Sequence, residues 1–326
     1  MPIAAGSDPA AVRAAAQALA RGELVAFATE TVYGLGARAD DDTAVARIFA
    51  AKGRPADHPL IVHVASVEQA EHFAEGMNDA ARRLMAAFWP GPLTLIVPRR
   101  AGRGSAAAGG QASIGLRMPS HPVALALLQA AAKAGVPGVA APSANRFGRV
   151  SPTTAAHVEQ EFGADLLVLD GGPCAIGIES AIVDCTRPTP ALLRPGQLLR
   201  AQIERVLGCE LAGADADSPR ASGTLESHYA PDAPVHLLAT AELRRRLAAP
   251  AAGAPTVVAV YSRLVPEAGP GWFYRAMPDD AAAVAHELFS VLRGFDAAGA
   301  SAIWVEQPPP GPPWDGVRDR LQRAAA

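Results

Sequence analysis

The stretch Leu24-Val25-Ala26-Phe27-Ala28-Thr29-Glu30-Thr31-Val32-Tyr33-Gly34-Leu35-Gly36 sets the pattern that most of the chain follows. Its apolar beginning suits a short buried strand, and the remainder from Thr29 is polar and turn-forming. Upstream, Asp8 and Pro9 are typical of a helix N-cap and first helical position, and downstream a helix is predicted over residues 43–52. A short strand between two helices indicates an α/β fold.

The same alternation continues through residue 184. Further strands are predicted at residues 60–64, 93–97, 114–118, 138–141, 166–169 and 181–184. Ser66 and Asn78 are expected to cap two helices, and two more are predicted at residues 122–134 and 154–162. Several strands follow one another without a helix between them, so we expect a twisted, open, mixed sheet.

The length of 326 residues points to two domains. A segment rich in Ala, Gly, Ser, Asp and Pro separates them, which predicts a catalytic domain at 1–210, a linker at 211–234 and a small Rossmann-like α/β domain at 235–326. In the second domain we expect strands at 235–238, 256–261 and 302–305, with helices around 242–247 and 281–295. The second domain has no GxGxxG turn, so a dinucleotide-binding role has no support.

Composition narrows the classes of function. Half of the residues are hydrophobic, 19% are charged, and no apolar run reaches the length of a membrane span. Residues 1–12 have no export signature, so we expect a soluble, cytoplasmic protein. The net charge of −3 argues against a main role in gripping nucleic acid. The three cysteines lie in no CxxC pair and predict neither a disulfide framework nor a zinc site.

The chemistry-bearing residues lie in turns and at strand ends. Lys52-Gly53-Arg54-Pro55 leaves a helix, which suits either a phosphate site or basic residues that offset the helix dipole. Ser143 and Asn145 follow an apolar strand and are expected at the ligand-binding edge of the sheet, although both are also common turn formers. His63 at a strand end is, by itself, more often a core or surface residue than a ligand-binding residue.

Taken together, these segments resemble the YrdC-type threonylcarbamoyl-AMP synthases, in the longer form with an additional C-terminal domain. The resemblance extends from about Asp8 to Gly208 and rests on an ordered series of motifs. They are Phe27-Ala28-Thr29-Glu30-Thr31-Val32-Tyr33-Gly34-Leu35-Gly36, Lys52-Gly53-Arg54-Pro55, His58-Pro59-Leu60-Ile61-Val62-His63, Trp89-Pro90-Gly91-Pro92-Leu93-Thr94, Arg117-Met118-Pro119, Ala141-Pro142-Ser143-Ala144-Asn145 and Leu193-Arg194-Pro195-Gly196.

The resemblance implies which residues form the active site. The family's hallmark catalytic residues correspond to Lys52, Arg54, Ser143 and Asn145. The residues that surround L-threonine are then Thr31, His63, Arg117 and Ser180, with Arg117 on the carboxylate. The residues that surround ATP are Lys52, Arg54, His58, Ser113, Ser143, Ser151 and Arg194. Position 58 departs from the family pattern, since many relatives have Asn there.

The resemblance further implies synthesis of threonylcarbamoyl-AMP from L-threonine, bicarbonate and ATP. We expect Mg²⁺ to be held mainly by the nucleotide, and no protein residue is assigned as a metal ligand. Pyrophosphate leaves, and the product feeds the machinery that makes threonylcarbamoyladenosine in tRNA. Two other classes stay open: an RNA-binding module of the same fold without catalysis, which acidity and few aromatics disfavour, and a carbamoyl-handling subdomain.

The linker offers one more candidate. Ser222-Gly223-Thr224-Leu225-Glu226-Ser227-His228-Tyr229-Ala230-Pro231 resembles the entry to the second domain in the longer family members. Tyr229 and Pro231 would either dock the linker on that domain or belong to a lid that brings His228 to the triphosphate of ATP.

Overall fold

The chain forms two compact units, each with its own sheet. The computed structural model describes residues 3–224, 228–248, 257–265 and 272–326. The first unit comprises Met1–Phe147 and Ser151–Thr224, and the second comprises Gly148–Val150 and Leu225–Ala326. Residues 211–224, which the sequence assigns to a linker, therefore belong to the first unit.

The first unit alternates strands and helices. Its strands are β1 Ile3–Ala5, β2 Val25–Phe27, β3 Gly34–Arg38, β4 Ile61–His63, β5 Leu93–Pro98, β6 Ser113–Arg117, β7 Val139–Ala140, β8 Leu167–Asp170, β9 Ala181–Asp184, β10 Ala191–Arg194 and β11 Ala212–Gly213. Its helices are α1 Pro9–Ala20, α2 Asp42–Lys52, α3 Val67–Phe73, α4 Asp79–Phe88, α5 Pro122–Lys133, α6 Ala155–Phe162 and α7 Arg200–Leu207.

Within the described ranges these eleven strands form one sheet, in the order β1-β8-β2-β3-β7-β4-β6-β5-β9-β10-β11. Parallel pairs such as β4 with β6 alternate with antiparallel pairs such as β2 with β3 and β5 with β6. The predicted mixed, open α/β sheet is confirmed.

Helices cover the two faces of this sheet because successive side chains of a strand point to opposite sides. In β2, Val25 and Phe27 join the apolar cluster beneath α1 and α5, whereas Ala26 joins the larger cluster beneath α2 and α4. A smaller cluster around Ile96 and Ile182 packs against Ala212 and Ala221 from the segment after α7. That segment thus covers part of the sheet near β5 and β9.

Side-chain caps fix where the helices begin. The Asp8 carboxylate accepts from the Ala10 amide at the start of α1. Ser66 and Asn78 likewise accept backbone N–H groups at the starts of α3 and α4. All three caps were predicted from residue type, because a short polar side chain satisfies an otherwise unpaired helix N–H group.

The region predicted as a turn after β2 is partly a strand. Gly34 begins β3, which turns back and pairs antiparallel with β2. A Cβ on Gly36 would lie 2.8 Å from Val139 Cγ1 and 2.9 Å from the Phe27 ring, so only glycine fits this close approach. In sequence, a glycine required by close packing looks the same as a glycine required by a turn, and for this reason the sequence predicts a turn where the structure has a strand.

The second unit is a parallel α/β unit. Its elements are β12 Val235–Leu238, α8 Thr240–Ala248, β13 Val258–Ser262, β14 Trp272–Ala276, α9 Ala281–Ala297, β15 Ala302–Glu306, a 3₁₀ turn Pro312–Trp314 and α10 Asp315–Ala324. The strands lie in the order β12-β15-β13-β14 and all pairs are parallel. The strand predicted at 256–261 is observed as β13, residue 256 lying outside the described residues, and β14 was not predicted.

In the described part of the chain, no helix is both long enough and apolar enough to cross a bilayer.

Candidate active site

Four segments of the first unit meet at the carboxyl end of β2. Backbone hydrogen bonds join the turn after β2 to the segment after β7, to Pro152 and to the loop before β9. The bonds run from Ala144 N to Tyr33 O at 2.8 Å, from Tyr33 N to Pro152 O at 2.9 Å and from Gly177 N to Thr31 O at 3.1 Å. Most of the residues predicted for the site lie in or beside these segments.

Arg117 lies at the centre of the predicted threonine group. It ends β6 and is only 3% exposed. Its Nη1 donates to Thr31 Oγ1 at 2.9 Å, and its Nε donates to the Gly91 carbonyl at 3.3 Å. Its Nη2 lies 2.6 Å from Glu30 Oε1, so the buried guanidinium has a buried carboxylate as its ion-pair partner.

His63 faces Arg117 on the neighbouring strand. The two residues are register partners in the parallel pair β4 and β6. Burial, together with the nearby positive charge of Arg117, lowers the pKa of His63 to about 3. The imidazole is therefore neutral near pH 7 and can interact with a ligand only as a neutral donor or acceptor.

Ser180, the fourth predicted threonine residue, belongs to a second polar group. Its hydroxyl lies 2.8 Å from Thr94 Oγ1, and its backbone carbonyl accepts two hydrogen bonds from Arg194. Arg194 Nη1 also donates to the Ser222 carbonyl at 2.7 Å, in the segment after α7. Arg194 is only 2% exposed and so is a buried cation held among backbone carbonyls.

Lys52 joins the two hallmark pairs. Gly53 ends α2 in the left-handed conformation, as its sequence predicts, and the Lys52 side chain turns inward to 3% exposure. Its Nζ donates to the backbone carbonyls of Ser143, at 2.6 Å, and Asn145. Burial and the neighbouring Arg54 lower the pKa of Lys52 well below its ordinary value, while Glu161 and Glu179 raise it. A bound polyanion would favour the charged ammonium.

Arg54 and His58 lie together beside Phe147. The Arg54 guanidinium stands 5.7 Å from the centre of that ring and donates to the Pro59 carbonyl at 3.0 Å. The His58 ring contacts the same phenyl edge to face, with centroids 5.5 Å apart. The pKa of His58 is lowered by burial and by the positive charge of Arg54.

Two other residues predicted to bind ATP, Ser151 and Ser113, lie in different parts of the first unit. Ser151 is fully buried and its hydroxyl donates to Glu179 Oε1. Ser113 lines a narrow crevice in which it meets Arg220 and Ser222.

His228 lies in the second unit. Its backbone N–H donates to the Arg323 carbonyl and its buried ring contacts Tyr229. Residues 225–227 of the predicted lid lie outside the described residues, and the lid remains a prediction.

The sequence did not single out three side chains of these groups: Glu30, Thr94 and Glu179. Glu30 and Thr94 lie inside two of the family motifs and Glu179 directly precedes Ser180, but the sequence alone assigns none of them a role. The signal in the sequence that could have identified such residues is a polar side chain next to a predicted buried strand. It could not reveal that Glu30 would be 6% exposed and paired with Arg117.

The depressed pKa of His63 predicts acid sensitivity. An unfolded histidine titrates near pH 6.5, so below that pH the unfolded chain binds a proton that the folded chain excludes until about pH 3. Stability is therefore lost as pH falls through this window, with a slope of up to ~1.4 kcal/mol per pH unit. In urea unfolding between about pH 7 and 5, His63→Gln should make the decline shallower. His236→Gln, on an exposed strand position, is the control, and an unchanged slope in His63→Gln would contradict the assignment.

Comparisons with known proteins cover both units. Residues 17–196 match the family model Sua5_yciO_yrdC, described as telomere recombination. Residues 198–326 match Sua5_C, described as the threonylcarbamoyl-AMP synthase C-terminal domain. The threonylcarbamoyl-AMP synthase of Pyrococcus abyssi is 40% identical over 312 residues, which cover 90% of this chain and 88% of that protein. The Bacillus subtilis synthase is 44% identical over 235 residues, covering 70% of this chain and 66% of that protein.

A solved structure extends the likeness to the whole fold. The crystal structure of P. abyssi Sua5 complexed with L-threonine matches with a TM-score of 0.86 at 37% identity, covering 98% of this chain and 95% of that chain. The motifs, the fold and the two family models agree, and the chain belongs to the threonylcarbamoyl-AMP synthase family, in the form that carries the C-terminal domain.

Proposed function

We propose that this protein joins L-threonine, bicarbonate and ATP into threonylcarbamoyl-AMP and releases pyrophosphate and water. The product carries the activated group for the threonylcarbamoyladenosine modification of tRNA. One observation carries the proposal. Among its described residues the first unit buries four cations, Lys52, Arg54, Arg117 and Arg194, each at or just after the end of a helix or strand.

Three of these cations suit a triphosphate. Lys52, Arg54 and Arg194 donate to backbone carbonyls, which hold these side chains in place. Held cations of this kind can stabilise charge that accumulates on phosphate oxygens, and they need no reorganisation during the reaction. Ser143 and Asn145 would orient the nucleotide or the carbamate, and Ser113, Ser151, His58 and His228 remain predicted ATP contacts.

The fourth cation suits an amino acid. Arg117 is a planar guanidinium that can bind a carboxylate through two parallel hydrogen bonds, and Thr31 already orients one of its nitrogens. The P. abyssi relative whose structure is complexed with L-threonine shares this fold, which supports threonine as the substrate. We assign His63 and Ser180 to the same amino-acid site.

The chemistry needs no covalent attachment to the protein. The threonine ammonium loses a proton to solvent. The resulting amine forms an N-carboxylate either by adding to carbon dioxide, as a second proton leaves to solvent, or by reacting with bicarbonate with loss of water. One oxygen of that carboxylate attacks the α-phosphorus of ATP, a new P–O bond forms, and the bond to the β-phosphate oxygen breaks as pyrophosphate leaves. Positioning of the two reactants and the cations on the phosphates then provide catalysis.

Mg²⁺ is expected to enter with ATP, where phosphate oxygens and water are its preferred ligands. The ranges that the structure describes contain no group of three or more His, Cys, Asp or Glu residues that could hold a metal ion. When bound, the ion would offset phosphate charge alongside Lys52 and Arg54.

The proposed product has to be passed on. A mixed anhydride of a carbamate and AMP is prone to hydrolysis, so a transferase that consumes it on tRNA would act downstream. ATP, threonine and tRNA are all present in the cytoplasm, and we propose that compartment for the reaction.

Pyrophosphate release tests the proposal directly. The full chain is incubated with ATP, Mg²⁺, L-threonine and bicarbonate, and each substrate is omitted in turn. We expect release only when all of them are present, with one threonylcarbamoyl-AMP formed for each pyrophosphate. Release that does not depend on threonine would contradict the proposal.

Arg54 offers a variant test with a control on the preceding helix. Removing one preorganised cation typically lowers the rate by about 10²- to 10³-fold, so we expect that loss for Arg54→Gln with an unchanged circular dichroism spectrum. Arg47 is exposed on α2 and donates to the Gly22 carbonyl, and Arg47→Gln should keep the wild-type rate. Near-normal activity of Arg54→Gln would return Arg54 to the role of a helix-end charge.

A further inference from the structure

Glu30 is a buried carboxylate whose role the proposed reaction does not explain. It is 6% exposed and lies in the segment that connects β2 to β3. Its backbone carbonyl accepts from Ile176 N at 2.8 Å, and the next carbonyl, of Thr31, accepts from Gly177 N at 3.1 Å. The main chain on both sides is therefore fixed, and the carboxylate is held in place beside Arg117.

The hydrogen bonding of this pair is incomplete. Glu30 Oε1 and Arg117 Nη2 form an ion pair at 2.6 Å that lacks hydrogen-bond geometry, and in the described part of the chain the second carboxylate oxygen, Oε2, has no hydrogen-bond partner. Buried polar atoms are nearly always hydrogen-bonded, and charged ones most strictly. A buried carboxylate oxygen without a partner, beside an ion pair that lacks hydrogen-bond geometry, indicates a place where a ligand completes the bonding.

The charges at this point have the pattern of an amino acid. Arg117 uses Nη1 for Thr31 and Nε for the Gly91 carbonyl, so a ligand carboxylate would compete with Glu30 for Nη2. A carboxylate that draws Arg117 towards itself leaves Glu30 as a buried, unpaired negative charge, which is strongly unfavourable. An ammonium group on the carbon next to that carboxylate would neutralise Glu30 and balance the four charges.

We propose that Glu30 binds the α-ammonium group of the amino-acid substrate while Arg117 binds its carboxylate, so that the pair recognises a zwitterion. The inference rests on the proposed function and adds a recognition residue to it. It places the nitrogen that receives the carboxyl group beside Glu30. It also makes a free α-amino group a condition for tight binding.

Binding of two ligands to the full chain without ATP tests the inference. L-threonine is compared by calorimetry with (R)-3-hydroxybutyrate, which has the same carboxylate and hydroxyl but no amine. The wild type should prefer threonine. Because a hydrogen bond to a charged group is lost, Glu30→Gln should weaken threonine binding about 10- to 100-fold and leave hydroxybutyrate binding unchanged or stronger. Glu71→Gln removes an exposed carboxylate from an ion pair with Arg82 and should change neither affinity.

Two results would overturn the inference. If Glu30→Gln binds threonine as well as or better than the wild type, Glu30 only competes with the substrate for Arg117. If it weakens both ligands equally, Glu30 acts only by holding Arg117. Should Glu30→Gln fail to fold, Glu30→Asp decides, since it keeps the charge but withdraws it by one methylene: a reduced preference for threonine supports the inference, and an unchanged preference contradicts it.

Failure of this inference and failure of the proposed function give different results. A wild-type chain that releases pyrophosphate only with threonine, together with a Glu30→Gln variant whose threonine KM is unchanged, would remove the role of Glu30 alone. A wild-type chain that binds threonine with the expected dependence on Glu30, yet releases no pyrophosphate, would leave the recognition site and remove the reaction.

Discussion

Arg117 ends a strand in the interior of a large sheet, where its guanidinium has to be neutralised because water cannot reach it. Glu30 supplies the charge and Thr31 and the Gly91 carbonyl supply hydrogen bonds. These partners come from the turn after β2 and from the entry to β5, so the strand order of the sheet determines the site. A ligand that competes for Arg117 must replace what Glu30 provides.

The rest of the site extends the same principle to other cations. Lys52 and Arg194 are buried and donate to backbone carbonyls, which orient these cations. The pKa of Lys52 is lowered because burial disfavours the charged ammonium. The negative charge of a bound triphosphate would stabilise both cations. The neutral His63 adds no further charge beside Arg117. In the proposed function, Arg117 would bind the amino acid, whereas Lys52 and Arg194 would bind the phosphates.

The sequence predicted the elements well where the signal is local. The caps at Asp8, Ser66 and Asn78 and the turn at Gly53 depend on a few adjacent residues, and each is present. The motif series also identified the family. Contacts made through tertiary structure could not be predicted: Lys52 resembles an exposed helix-end charge until the segment Ala141-Pro142-Ser143-Ala144-Asn145 packs over it. Glu30 resembles a polar turn residue until β6 brings Arg117 beside it.

A structure of the full chain with L-threonine bound tests the central claim most directly, since it shows both ends of the amino acid. The account predicts the α-carboxylate on Arg117 Nη2 and the α-ammonium on a Glu30 carboxylate oxygen, with Thr31 still bonded to Arg117 Nη1. A threonine molecule bound elsewhere, with Glu30 and Arg117 still in direct contact and neither touching the ligand, would contradict it.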